Sequence, residues 1–86
     1  MFADFNFPGE FLSYRFPVYR TQDGVLFIIV KTISKAAKQF KTGIGFDAVF
    51  YNDNKVKNPE CRVRILDVSF QDKKKESLVI KFVVTD

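Results

Sequence analysis

The chain has no histidine and no tryptophan, a single cysteine, three prolines and four glycines in 86 residues. Each shortage removes a class of chemistry. Without histidine, a Ser–His or Cys–His nucleophile system cannot be built, and the usual acid–base side chain near neutral pH is missing. One cysteine, Cys61, excludes an intramolecular disulfide and a cysteine-based zinc site. It opens an apolar-alternating segment, so a buried, inert thiol is expected there.

The scarce glycines do not form a phosphate loop. Gly43-Ile44-Gly45 lacks both the third glycine and the spacing. The Asn52-Asp53-Asn54 stretch offers oxygen ligands without the distal glutamate that a calcium loop requires. Asp47 with Glu60-Cys61-Arg62 supplies carboxylates of the kind that hold Mg²⁺ in a nuclease centre, but with arginine where lysine is needed. The chain is therefore expected to be no enzyme, with no cofactor and no metal.

Long apolar runs are also missing. The longest, Val25–Val30, has six residues, far short of a membrane span. Met1–Leu12 carries two acids, a Pro-Gly turn and no basic start, unlike a secretory leader. A cytoplasmic protein without a membrane partner is expected.

What the chain has in excess is phenylalanine: eleven, with three tyrosines. A single domain of this size, residues 1–86, hides only about 60–65% of the surface its unfolded chain exposes. Some rings should stay near the surface, as a base-stacking platform or a subunit interface. Charge is uneven too. Residues 31–64 hold eight Lys and Arg against three acids, whereas the segments on either side are close to neutral. Clustered basic charge favours a polyanionic partner.

The order of elements follows from periodicity. Phe2–Phe7 is a short edge strand or an arm, ended by Pro8-Gly9. Along Phe11–Arg20, Leu12, Tyr14, Phe16 and Val18 share one face, and Pro17 demands an edge or a bulge. Asp23-Gly24 turns the chain into Val25–Val30, read as a central strand covered on both faces. Ile33, Ala36, Ala37, Phe40 and Ile44 follow helical spacing, which predicts a short helix over 33–42 with Thr32 or Ser34 as N-cap and Gly43 at its end. Ile44–Tyr51 alternates as a strand, and Asn52–Pro59 reads as a polar loop. Cys61–Phe70 changes the parity of its apolar face between Ile65 and Leu66, which requires a bulge or bend there. Gln71–Ser77 is a charged tip, and Leu78–Thr85 is a last strand apolar on both faces.

This pattern predicts a mainly β, β-rich α+β domain. Its form is a five- to six-stranded OB-like barrel or a strongly curved antiparallel sheet with one short helix. An SH3-like barrel and a two-layer α+β sandwich are the alternatives.

Two functional expectations follow. The first is binding of single-stranded DNA or RNA, which needs cations along the phosphates and rings for the bases. The candidate residues are Arg15 and Tyr19, the lysine strip Lys31, Lys35, Lys38 and Lys41, Tyr51, the loop lysines Lys55 and Lys57, and Arg62 with Arg64. The second is a protein-interaction or inhibitor module, self-associating as a homodimer through Leu78–Val84 or Phe2–Phe7 as an apolar edge strand. Its basic residues would then be ordinary solubility charge.

Overall fold

The structure, a computed structural model, describes residues 1–52 and 55–85, with side chains for 1–52 and 61–85. Seven antiparallel strands form one open sheet: β1 (Phe2–Asn6), β2 (Ser13–Pro17), β3 (Tyr19–Arg20), β4 (Leu26–Lys31), β5 (Gly45–Asn52), β6 (Lys55–Phe70) and β7 (Ser77–Val84). Their order across the sheet is β2-β1-β5-β6-β7-β4-β3. Seven strands replace the expected five or six because Ser13–Arg20 breaks at Val18. It pairs first with β1 and then with β4.

That break shapes the whole sheet. β2 and β3 lie at opposite ends of the order, yet only Val18 separates them. Two residues of extended chain reach about 7 Å, so the two edges must come close and the sheet curls round its core. The Val18 N–H donates to the Met1 carbonyl at 2.8 Å, which anchors the crossing point. Pro17 ends β2 at the sheet edge, where a missing donor costs least.

The concave side holds the core. Phe5, Phe7, Phe40, Phe46, Phe50 and Phe82 are buried there, with Phe16 packed against them. Phe5 meets Phe16, Phe40 and Phe82 with ring centroids 6.0, 5.7 and 5.5 Å apart. Such tilted and edge-on contacts suit the ring quadrupole. Cys61 is buried as expected, and its thiol donates to the Ala48 carbonyl at 3.6 Å. Seven of the eleven phenylalanines are thus accounted for; Phe2, Phe11, Phe27 and Phe70 are left outside the core.

Several expectations are corrected. The predicted helix over 33–42 is a single 3₁₀ segment, Lys35–Gln39, designated η1. It buries Ala36 and Ala37, and Phe40 follows into the core, but Ile33 is 93% exposed and Ile44 38% exposed. Ser34 is the N-cap without a side-chain capping bond; its hydroxyl donates back to the Lys31 carbonyl. Helical spacing in Ile33 and Ile44 was coincidental, because both belong to turns joining the helix to strands.

The Asn52–Pro59 loop is also shorter than expected. The backbone is strand again from Lys55, pairing with Asn52. Pro59 lies in the bulge between the Ala48↔Cys61 and Phe50↔Asn58 pairs, where the β5–β6 register slips, a position at which the missing N–H is tolerated. Phe2–Phe7, left open between strand and arm, forms β1 and lies inside the sheet. Val25–Val30 is not central: β4 is next to the edge, and β6 holds the middle.

The parity change in Cys61–Phe70 does produce a bulge. The β6–β7 register skips at Leu66, between the Ile65↔Phe82 and Asp67↔Lys81 pairs. Leu66 and Phe70 nevertheless stay about half exposed, and only Val68 continues the packing.

Gly43 adopts a left-handed φ of +88° and donates its N–H to the Ile65 carbonyl, tying the η1–β5 turn to β6. An added Cβ would meet open space, so the penalty of Gly43→Ala is conformational, about 1–2 kcal/mol. A urea titration should show that loss; an unchanged midpoint would contradict the φ.

Candidate nucleic-acid interface

The candidate cations and rings fall into three places. On the convex outer side of β2-β1-β5-β6 sit Arg15, Tyr51, Arg62 and Arg64. The strand register explains their state. Arg15 lies directly opposite Asp4, and Arg62 directly opposite Asp47. Arg15 makes a two-pronged contact with Asp4, Nε to Oδ1 at 2.7 Å and Nη2 to Oδ2 at 3.1 Å. Its guanidinium also covers Tyr51, 4.6 Å from the ring centroid. Arg62 Nη1 donates to Asp47 Oδ1 at 2.9 Å. Gly45 makes room for this: a Cβ there would stand 3.0 Å from Arg62 Nη2. Arg15, Tyr51 and Arg62 are therefore already engaged. Arg64, opposite Gly45, has no carboxylate within ion-pair distance among the described residues.

The Arg15 guanidinium holds the Asp4 carboxyl below the ordinary aspartate range, against an opposing push from partial burial. A carboxyl that is more acidic in the folded state stabilises the fold above its unfolded value near 3.9. That contribution is lost as pH falls through the lower folded value. Asp4→Asn should thus be less stable than the parent near neutrality, and the gap should begin to narrow below about pH 4 and close as pH falls through the lower folded value. Thermal melts across a pH series check this; a gap constant with pH would contradict it.

The second place is the outer side of β3-β4-β7-β6. Tyr19 is 47% exposed and stacks on Phe27, with centroids 5.4 Å apart and an interplanar angle of 29°. Across the strands the register runs Tyr19, Phe27, Lys81, Asp67. Ile29 pairs with Val79 on one side of this row, and Arg64 with Val83 on the other. Phe27, Ile29, Val79 and Lys81 are half-buried, and Val83 is exposed. Among the described residues no element packs over this face. The expectation that Val25–Val30 is covered on both sides thus holds for the inner side alone. Lys81 stands half-buried in this row, between Phe27 and Asp67. The Thr21 hydroxyl, donating at 2.6 Å, holds the Asp23 carboxyl below the ordinary aspartate range, and the Lys81 charge adds a smaller push in the same direction.

The third place is one end of the sheet. Lys31 ends β4, Lys35 and Lys38 project from η1, and Lys41 follows it, all exposed. Among the described residues no ion pair or ring contact joins them to Arg15 or Tyr51. Lys55 and Lys57 lie outside the described side chains.

Sequence reasoning missed Phe27 and Lys81. The signal was present: Phe27 and Ile29 share a parity within Val25–Val30, as do Val79, Lys81 and Val83 in the last strand. Neither strand expected to self-associate is an edge strand: β7 is paired on both sides by β6 and β4, and β1 by β2 and β5.

Among the described residues no three carboxylate or thiol groups converge as a metal site. Asp47, a candidate for one, is committed to Arg62. No family model, curated protein or solved structure matches this chain.

Proposed function

We propose that the protein binds single-stranded nucleic acid across the outer side of β3-β4-β7-β6. The observation that carries the reading is the stacked Tyr19–Phe27 pair, uncovered and flanked by Lys81 and Arg64. Bases stack on exposed rings whatever their identity, and nearby cations neutralise the phosphates. Neighbouring strands are about 4.8 Å apart, so the path from Tyr19 to Arg64 is about 15 Å wide.

The chain order supports an OB-like reading of the curled sheet. With Ser13–Arg20 counted as one broken strand, a short helix separates the third strand from the fourth. In that architecture the second and third strands form the oligonucleotide-binding face. Here they are Ser13–Arg20 and β4, which carry Tyr19 and Phe27.

Titration of fluorescent oligo-dT tests the proposal by anisotropy. Binding should appear at low salt and weaken steeply as salt rises, through counterion release. No anisotropy change at low salt would refute it.

The aliphatic part of the same face, Ile29, Val79 and Val83, favours a second reading in which a protein surface covers it. That partner would be a second copy or an unrelated chain. Light scattering near twice 10.0 kDa would support the homodimer, and a strict monomer at high concentration would remove it.

A further inference from the structure

The end of the sheet opposite the Asn52↔Lys55 pair gathers three loops. The β4–η1 turn is pinned to the β6–β7 turn: the Thr32 N–H donates to the Glu76 carbonyl, and its hydroxyl to those of Lys75 and Glu76. Lys35 of η1, the β1–β2 loop residues Glu10, Phe11 and Leu12, and Tyr14 of β2 line one shallow depression.

Two properties coincide there. First, apolar side chains stand in water: Phe11 is 106% exposed, Leu12 75% and Ile33 93%. Second, the three loops with the end of β4 carry seven lysines, Lys31, Lys35, Lys38, Lys41 and Lys73–Lys75, against three acids, Glu10, Asp72 and Glu76. This surplus of four equals the whole formal net charge of the chain. Among the described residues no carboxylate lies within ion-pair distance of these lysines.

We infer that this end docks on an anionic lipid bilayer surface, with Phe11, Leu12 and Ile33 entering the interface and the lysines lying among the headgroups. The chemistry favours lipid over nucleic acid. Leu12 and Ile33 offer no ring for a base to stack on, whereas hydrocarbon accepts them as readily as phenylalanine. All four arginines, the side chains suited to forked phosphate recognition, lie elsewhere; lysine is a point charge and suits a diffuse negative surface. The arrangement needs no spanning element, and among the described residues no helix is long and apolar enough to cross a membrane. It departs from the expectation, drawn from apolar run length, that no membrane is involved. It is independent of the nucleic-acid face.

Co-sedimentation with phosphatidylcholine vesicles, with and without about one-third phosphatidylserine, tests the inference. The protein should sediment with the anionic vesicles alone. Each lysine near such a surface contributes about a fivefold factor in partitioning. Lys35→Glu with Lys38→Glu should therefore lower binding by about a hundredfold or more. Phe11→Ser with Leu12→Ser, at side chains exposed in the folded state, should lower it at least about tenfold. Tyr19→Ala with Phe27→Ala should leave vesicle binding intact even if oligonucleotide binding fails. Absence of sedimentation with anionic vesicles would overturn the inference. So would vesicle binding unaltered in the Phe11/Leu12 variant, or a loss of oligo-dT binding in that variant with vesicle binding retained.

Discussion

Replacing Phe5 with alanine is expected to destabilise the protein by about 3–5 kcal/mol, the range for deleting a well-packed aromatic side chain. Phe5 is fully buried and holds Phe16, Phe40 and Phe82 together from β1. It thereby links the β1–β2 hairpin to the segment after η1 and to β7. Collapse around the void is hindered because its neighbours are rigid rings fixed to three different elements. A small domain has about 5–10 kcal/mol of stability in all, so the variant should be partly unfolded without denaturant. Phe70→Ala is the control. Phe70 is 51% exposed, with Lys75 Nζ 5.5 Å above its ring, and its loss should stay near 0.5 kcal/mol, as at most surface sites. Urea titrations of both variants decide the matter. Equal midpoints would contradict the assigned core.

Tyr19→Ala combined with Phe27→Ala is expected to weaken oligo-dT binding by about a hundredfold or more. Each base–ring stack contributes about 1–3 kcal/mol by alanine substitution, and every 1.4 kcal/mol is a factor of ten. The single variants should not simply add, because Tyr19 and Phe27 stack on one another and each removal disturbs the other. Both side chains lie outside the core, so the double variant should keep the parent's fold, checked by far-UV circular dichroism. Arg15→Ala should change binding much less, since that guanidinium is held by Asp4 and Tyr51. A double variant with the parent's affinity would remove the rings from the interface. A large effect from Arg15→Ala would return the site to the β1–β2–β5 side.

Much of the fold was legible because period-two patterns survive in short stretches. The parity switch from Ile65 to Leu66 required a bulge, and one occurs there. Asp23-Gly24 required a turn, and Gly24 has a φ of +91°. The start of β6 was not legible. Lys55, Lys57, Asn58 and Pro59 have poor strand propensity, and only pairing with β5 draws them into the ladder. Nor could the helix be bounded, since Ile33 and Ile44 mimic a helical stripe that tertiary turns never use.

The candidate site was legible by residue type and opaque by pairing. Arg15 and Arg62 look available until the register places Asp4 and Asp47 opposite them. The lysine-rich end was hidden for a related reason. Its two groups, Lys31–Lys41 and Lys73–Lys75, are more than thirty residues apart. The Lys31↔Ser77 pairing and the Thr32 bonds to Lys75 and Glu76 show that they share one end of the sheet. Segmental charge counts divided them between a basic middle and a neutral C-terminal third.

Amide chemical shifts, recorded while ¹⁵N-labelled protein is titrated with oligo-dT, bear most directly on where a strand of nucleic acid would lie. Perturbations are expected to concentrate at Tyr19–Arg20, in β4 and β7, and around Arg64. No perturbation, or perturbation confined to the β1–β2 loop and η1, would contradict that placement.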